Sequence, residues 1–121
     1  SLGTRYEIDT KGKILFFEDI DEQPHRIDRY LTQLIMAEKL QQARGIIFGP
    51  FPKCEYLTKD NYFKFGVTLL DLIKERIAPL GIPSIYGLQF AHVTNKLTIP
   101  FGAHATLDAT NCRVFVEPCV V

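Results

Sequence analysis

The sequence predicts an α/β fold in which a parallel sheet with flanking helices is joined by a second, antiparallel sheet. The central part of the chain alternates short apolar runs with amphipathic helical segments, and strands that each follow a helix tend to pair in parallel. The last part contains only short strand-like runs separated by turn residues, which favours antiparallel pairing. With 121 residues the chain has room for a single domain, 1–121, with a modest core.

The first third of the chain is predicted to contain a hairpin and a helix. Residues 5–9 alternate as a strand, and turn residues 10–12 lead back into a strand at 13–17. The second of these strands is apolar on both faces and is expected at the centre of the sheet. A helix begins at Pro24, which suits a first helical position, and runs to about Lys39. The apolar residues of this helix recur at helical spacing and are Ile27, Tyr30, Leu31, Leu34 and Ile35.

The middle third is predicted to contain two buried strands on either side of a second helix. Residues 45–49 are typical of a short buried strand, and residues 50–55, with two prolines, begin a long loop. A helix follows, which Gly81 stops, and a buried strand is expected at 82–86. The apolar stripe of this helix consists of Leu69, Leu72, Ile73, Ile77 and Leu80.

The final third is predicted to be entirely β. Strands are expected at about residues 97–100, 102–107 and 113–117. The last two are joined by residues 108–111, whose Asp, Thr and Asn favour a tight turn. These strands are expected to form the second layer.

Charge and hydropathy argue against a nucleic-acid surface and against a membrane span. The 14 basic and 14 acidic residues balance to a formal net charge of zero and are scattered, whereas nucleic-acid binding needs a basic stripe. No apolar run approaches the roughly 20 residues that cross a bilayer. The chain has no signal peptide and opens inside a strand-like segment, so it is expected to be a piece of a longer protein.

The cysteines indicate a reducing compartment. Cys54, Cys112 and Cys119 are odd in number and form no Cys-x-x-Cys pair. Neither a disulfide framework nor a zinc site is therefore indicated. Three reduced thiols are typical of a cytosolic protein.

Two ionisable residues at strand-to-loop junctions are the candidates for catalysis. Glu18 ends the first long apolar run, and His92 follows the strand at 82–86 and a glycine-containing loop. A strand fixes such a residue while the loop gives access to substrate, and a histidine can take and return a proton near neutral pH. Both residues also have structural interpretations: Glu18 could cap the next helix or pair with Arg26 or Arg29, and His92 could serve its loop.

A divalent cation site is disfavoured. Magnesium sites usually need phosphate ligands in addition to carboxylates, and the chain has no glycine-rich loop that could cradle a phosphate. We therefore expect neither a metal nor a cofactor, although four acidic residues cluster near the first strand: Glu18, Asp19, Asp21 and Glu22.

No convincing nucleophile accompanies the two candidates. The serines are Ser1 and Ser84, and Ser84 lies inside a predicted buried strand, a poor place for an exposed hydroxyl. Cys54 lies in a loop, but nothing in the sequence places a base beside it. His25, in the first turn of a helix, and His104, along a strand, are expected to have no catalytic role.

At these residues the chain resembles the serine-type LD-carboxypeptidases, also called muramoyltetrapeptide carboxypeptidases. The resemblance is to the C-terminal domain of that family and covers essentially the whole chain. The glutamate of the family's Leu-Glu-Asp segment falls on Glu18, and the histidine of its Gly-His…Pro-x-Gly segment falls on His92. The segments that carry the resemblance are residues 3–4, 12–29, 45–49, 81–83 and 91–102.

The resemblance implies a swivelling β/β/α-type domain and a Ser-His-Glu triad that two domains share. His92 would be the general base and Glu18 its orienting carboxylate, while the serine and the oxyanion-hole amides would belong to an N-terminal domain that this chain does not contain. The implied reaction is release of D-alanine from a murein tetrapeptide during cytoplasmic peptidoglycan recycling, without a cofactor. A homodimer is also expected.

Two departures and two alternatives accompany the resemblance. Ala91 stands where the family usually has glycine, which reduces backbone freedom beside His92, and Pro50 stands where an acidic residue is common. One alternative is the related branch that cleaves a peptide-nucleotide antibiotic and confers self-immunity. The other is a non-catalytic binding module in which Glu18 and His92 serve structure only.

Overall fold

The computed structural model describes residues 1–56 and 66–118, which form five strands, two α-helices and one turn of 3-10 helix. In chain order the elements are β1 (Ile14–Phe17), α1 (Pro24–Met36), β2 (Gly45–Phe48), α2 (Leu69–Ile77), the 3-10 turn (Ala78–Leu80), β3 (Ser84–Tyr86), β4 (Ala105–Asp108) and β5 (Arg113–Val116). Within these ranges, neither helix combines the length and the hydropathy needed to cross a bilayer.

The structure contains a parallel sheet with the strand order β1-β2-β3, which confirms the predicted parallel pairing of the middle strands. The ladder continues one residue past the strands, because the Gly49 amide donates to the Phe17 carbonyl and the Gly87 amide to the Phe48 carbonyl, both at 2.8 Å. The prediction that the strand at 13–17 is central was wrong: β2 lies in the middle and β1 beside it. Both faces of β1 are apolar because another layer packs on each face of the sheet. The pattern does not require a neighbouring strand on both sides of β1.

The two faces of the parallel sheet pack against different layers. Leu15, Ile46 and Phe48 point to one face, where they join the buried side chains of both helices in one cluster. The opposite face carries Phe16 and Gly45 and meets the C-terminal part of the chain. A Cβ at Gly45 would lie 2.6 Å from Leu107 Cδ2 in β4, so the side chain of Leu107 packs closely on the backbone of β2. The layers are therefore helices, parallel sheet and the antiparallel β4–β5 hairpin.

The first helix follows its predicted stripe with one exception. Ile27 and Leu31 are buried, and Leu34 and Ile35 pack against the cluster. Tyr30 was expected in the stripe but is 45% exposed, because its hydroxyl donates to Glu22 Oε2 at 3.0 Å outside the core. The helix ends at Met36, earlier than the predicted Lys39, since Glu38 adopts a left-handed φ of 56°.

The second helix is capped at both ends as its sequence suggests. The Thr68 hydroxyl accepts from the Asp71 amide at 3.1 Å, and the Asp71 carboxylate accepts from the Thr68 amide at 3.0 Å, which forms a capping box. Gly81 closes the following 3-10 turn with a left-handed φ of 65°. Arg76 Nε lies 2.5 Å from Asp28 Oδ1 and joins this helix to α1.

The predicted strand at 5–9, and with it the N-terminal hairpin, was wrong. This segment folds on itself, with the Glu7 amide donating to the Thr4 carbonyl at 3.0 Å. The Glu7 carboxylate pairs with Lys39 just beyond α1. Tyr6 and Ile8 remain 71% and 53% exposed, so their alternation faces no core.

The C-terminal strands are fewer than predicted. Residues 97–100 form no strand, because the Leu97 amide closes a loop by donating to the Gln89 carbonyl at 2.8 Å. The strand expected at 102–107 is β4, which begins only at Ala105. The strand expected at 113–117 is β5, which ends one residue earlier, at Val116. The tight turn between them is confirmed: Asp108 Oδ1 accepts from the Asn111 amide at 3.1 Å. Cys119 lies outside the described residues.

Candidate active site

Glu18 and His92 come into direct contact. His92 Nδ1 lies 2.9 Å from Glu18 Oε2, and the two side chains are 57% and 23% exposed for His92 and Glu18 respectively. A carboxylate oxygen can only accept a hydrogen bond, so the contact places a proton on Nδ1. The other ring nitrogen, Nε2, is then free to accept a proton from a group that approaches through solvent.

Glu18 follows β1 directly and lies at the carboxyl edge of the parallel sheet, where ligands of open α/β sheets usually bind. The chain after it is tied to the loop at 50–55. The Asp21 amide donates to the Pro52 carbonyl at 2.9 Å, and the Glu22 amide donates to Cys54 Sγ at 3.4 Å. These bonds fix the direction in which the chain leaves Glu18.

Cys54 belongs to this support and not to the candidate pair. Its side chain is fully buried, and Sγ lies 3.6 Å from the Asp19 carbonyl. Burial raises the pKa of the Cys54 thiol, an effect that the Glu22 amide partly opposes. A buried, protonated thiol is a poor nucleophile, which agrees with the low expectation placed on it.

His92 lies in a loop that leaves β3 and closes on itself. The Leu97 amide donates to the Gln89 carbonyl at 2.8 Å, and the Val93 amide donates to the Ala91 carbonyl at 3.0 Å, so His92 is the central residue of a tight turn. Ala91 adopts a left-handed φ of 61°, a conformation that glycine adopts without steric cost. The departure noted in the sequence thus lies at a strained position beside His92.

Sequence reasoning missed two residues that join the halves of the site, Gly49 and Phe90. Phe90 is buried, and its ring meets that of Phe16 edge-on with centroids 5.6 Å apart. A Cβ at Gly49 would lie 2.9 Å from Phe90 Cζ and 3.2 Å from the Cβ of Glu18. A glycine at the end of a buried strand was the available signal, since it often marks a close approach of another group.

The remaining candidates lie in other settings. Ser84 is the first residue of β3, and its hydroxyl donates a hydrogen bond to the Ile82 backbone carbonyl at 2.9 Å. His25 and His104 are both exposed, and neither is part of the contact between Glu18 and His92. Arg26 was one alternative partner for Glu18, but its Nη1 lies 3.6 Å from Oε1 of Glu22 instead.

Glu22 is held as an anion by its surroundings. The Gln23 amide is the main cause that lowers the pKa of the Glu22 carboxyl. Burial opposes it, and the Tyr30 hydroxyl and the Arg26 guanidinium lower the pKa further. Within residues 1–56 and 66–118, no three acidic, histidine or cysteine side chains converge in a way that could hold a metal ion. Two members of the acidic cluster thus have different partners: Glu18 contacts His92, and Glu22 contacts Tyr30 and Arg26 of α1.

Comparison with known proteins decides the family. The sequence model of the LD-carboxypeptidase C-terminal domain matches residues 1–107. This chain belongs to the LD-carboxypeptidase family. A probable murein peptide carboxypeptidase of Bacillus subtilis is 36% identical over 117 residues, which are 97% of this chain and 35% of the relative. A murein tetrapeptide carboxypeptidase of Pseudomonas aeruginosa is 26% identical over 102 residues, 84% of this chain and 31% of the relative.

Solved structures share the fold. The muramoyltetrapeptide carboxypeptidase from Oxalobacter formigenes superposes with a TM-score of 0.72 at 29% identity, over 97% of this chain and 37% of its own. The microcin C7 self immunity protein superposes with a TM-score of 0.79 at 20% identity, over 99% of this chain and 35% of its own. The α/β fold with a second antiparallel sheet, expected from the sequence, is confirmed. This chain spans 35% of the length of the Bacillus subtilis relative and 37% of the Oxalobacter formigenes chain.

Proposed function

We propose that this chain supplies the glutamate and histidine of a Ser-His-Glu triad in a serine-type LD-carboxypeptidase. The reaction is hydrolysis of the terminal L,D-peptide bond of a murein tetrapeptide, with release of D-alanine in peptidoglycan recycling. The observation that carries the proposal is the 2.9 Å contact between His92 Nδ1 and Glu18 Oε2 at the carboxyl edge of the sheet. The names of the relatives from Bacillus subtilis and Pseudomonas aeruginosa support the substrate class.

Each side chain of the pair has a role in the proposed reaction. His92 Nε2 takes the proton of the serine hydroxyl while the serine oxygen attacks the peptide carbonyl carbon. The same nitrogen then gives that proton to the departing amine of D-alanine, and the acyl-serine ester is hydrolysed by a water that His92 activates in turn. Glu18 holds the proton on Nδ1 and stabilises the imidazolium that forms.

The serine and the oxyanion-hole amides are proposed to come from an N-terminal domain of the same polypeptide. This chain covers 35% of the Bacillus subtilis relative, which leaves room for such a domain. The backbone bond of the Ser84 hydroxyl and the burial of Cys54 make neither a good substitute. We propose that the intact protein is a cytoplasmic homodimer, a location that the free thiols of Cys54 and Cys112 suit.

Self-immunity by cleavage of a peptide-nucleotide antibiotic is the second candidate. The microcin C7 self immunity protein has the higher TM-score, 0.79, but at 20% identity the likeness concerns the fold alone. The Bacillus subtilis relative, at 36% identity, and the Oxalobacter formigenes structure, at 29% identity, carry murein peptide or muramoyltetrapeptide names, so the murein substrate ranks first. A non-catalytic binding module ranks third, because it gives no reason for a histidine and a carboxylate to meet where a substrate has access.

The test is D-alanine release from a murein tetrapeptide by the complete polypeptide and by single variants of it. His92→Ala should lower kcat by at least about a hundredfold with little change in KM, since a general base acts mainly on the transition state. Glu18→Gln should cost less, because it alters tautomer and charge but leaves the base in place.

Two matched controls accompany these variants. His25→Ala and His104→Ala remove exposed imidazoles outside the pair and should leave kcat within about twofold of the starting value. Near-normal turnover by His92→Ala would refute the assignment of the base. Faster cleavage of a peptidyl-nucleotide than of the tetrapeptide by the unaltered protein would move the second candidate to first place.

A further inference from the structure

Phe90 links the two loops that carry the candidate pair. It lies two residues before His92, and it is 9% exposed although its neighbour Gln89 is exposed and Ala91 is only partly buried. Its ring lies so close to Gly49 that a Cβ there would be 2.9 Å from Cζ and 3.0 Å from Cε1. The same Cβ would be 3.2 Å from the Cβ of Glu18. The absence of a side chain at Gly49 thus leaves room both for the ring of Phe90, in the loop of His92, and for the Cβ of Glu18.

We propose that Phe90, seated on Gly49, is a positioning residue that holds the His92 ring in its hydrogen bond to Glu18. This inference deepens the proposed function, and its importance for rate rests on that function. Its structural content, the link between the Phe90 ring and the orientation of the His92 imidazole, can be measured without any turnover.

Apart from Phe90, few contacts among the residues that the structure describes fix the position of the loop that carries His92. Ala91 adopts a left-handed φ, which an alanine disfavours, and His92 itself is 57% exposed and has little packing of its own. The backbone bond from Leu97 to Gln89 closes the loop but does not fix where it lies over the sheet. Phe90 fixes that position through its edge-to-face contact with Phe16 and its close packing on Gly49.

The tautomer of His92 reports the contact directly. A Nδ1–H···carboxylate bond favours the tautomer that carries the proton on Nδ1, whereas a free imidazole in water favours the proton on Nε2. The chain has three histidines, so long-range ¹⁵N–¹H spectra of the imidazole rings remain simple. A His92→Gln variant assigns the His92 signal, and the exposed rings of His25 and His104 serve as internal references.

The decisive variant is Phe90→Leu, which keeps an apolar side chain but removes the ring that lies over Gly49. We expect a loss of the Nδ1–H tautomer at His92 and no change at His25 or His104. The matched control is Phe101→Leu. Phe101 also packs edge-on against Phe16, at 6.4 Å, but it is 88% exposed and lies outside the contact with Gly49. This control should keep the His92 tautomer, and an equal loss in both variants would overturn the proposal.

Gly49→Ala tests the same contact from the opposite side, and it serves if Phe90→Leu does not fold. The added Cβ should displace Phe90 and Glu18 and reduce the Nδ1–H tautomer as well. In the double variant, the leucine that replaces Phe90 lacks the ring atoms that the new Cβ meets. Gly49→Ala should therefore lower the free energy of unfolding less in the Phe90→Leu background than alone, which is the signature of a direct contact. An unchanged tautomer in a folded Phe90→Leu or Gly49→Ala protein would overturn the proposal.

Turnover by the complete polypeptide separates this inference from the proposed function. Phe90→Leu should lower kcat between about tenfold and a hundredfold with KM nearly constant, because a small misplacement of a base is costly in the transition state. If the tautomer changes as expected while the unaltered complete polypeptide releases no D-alanine, the positioning role stands and the proposed function fails. If the unaltered protein is active and Phe90→Leu keeps both tautomer and kcat, the positioning role fails alone.

Discussion

At the scale of single residues, the backbone of Ala91 combines strain with a place next to His92. Its φ of 61° lies in the left-handed region, where the Cβ of an L-residue costs about 1–2 kcal/mol. Glycine removes that cost but loses more conformational entropy on folding, roughly 0.5–1 kcal/mol. The balance still favours glycine at this position.

We expect Ala91→Gly to raise the free energy of unfolding by roughly 0.5–1 kcal/mol, as the difference between those two effects. Ala78→Gly is the matched control, because Ala78 has an ordinary helical φ of −56° and ψ of −40°. The same substitution there should lower the free energy of unfolding by roughly 0.5–1 kcal/mol. Urea unfolding of both variants measures the two signs, and a destabilising Ala91→Gly would show that the left-handed conformation carries no net strain.

At the scale of elements, the capping box of α2 ties the start of this helix to pH. Hydrogen bonds from the Thr68 hydroxyl, and then from the Thr68 amide, hold the pKa of the Asp71 carboxyl below its ordinary value. A carboxyl whose pKa is lower in the folded state stabilises the fold above its unfolded pKa. That contribution is lost as the pH falls through the folded pKa.

We therefore expect the free energy of unfolding to fall below about pH 4, and Asp71→Asn to weaken this pH dependence. Thr68→Ala should cost about 1 kcal/mol near neutral pH, because it removes the side-chain cap. Glu75→Gln, which removes a carboxylate of the same helix outside the box, is the control and should keep the pH dependence. Urea midpoints between about pH 2 and pH 7 decide the matter, and identical slopes for Asp71→Asn and the unaltered chain would contradict the assignment.

At the scale of the whole molecule, two apolar side chains close in sequence to the candidate pair are exposed within the described residues. Ile20, two residues after Glu18, is 41% exposed, and Leu97, at the end of the His92 loop, is 57% exposed. In the proposed reaction, the domain that delivers the serine would cover such side chains. This arrangement supports the proposal that the serine arrives from outside the chain.

We expect the isolated chain to release no measurable D-alanine from a murein tetrapeptide, since losing the nucleophile removes most of the rate and losing a domain also removes substrate contacts. The measurement compares the chain alone, the complete polypeptide, and the complete polypeptide with His92→Ala. Turnover by the isolated chain, abolished by His92→Ala, would show that it contains a nucleophile of its own. That result would end the two-domain proposal but would leave the role of His92 intact.

Much of the fold was readable from local pattern. The helical stripe beginning at Ile27, the stop at Gly81 and the buried run at 45–49 all depend on side-chain spacing over one or two turns, and the structure confirms them. The strands expected at 5–9 and 97–100 failed for the complementary reason. Alternation shows that a segment could form a strand, but a ladder also needs a partner, and Glu7 and Leu97 found local bonds instead.

The sequence by itself determined the family, the parallel pairing of the middle strands and the two ionisable candidates that follow strands, because each is written in residue types and their spacing. Only the tertiary structure decided that Nδ1 of His92 meets Oε2 of Glu18. That contact joins positions far apart in the chain and depends on the path of a loop, which no local propensity encodes. The path follows from where Phe90 can be buried, and Gly49, the residue without a side chain, leaves the space for it.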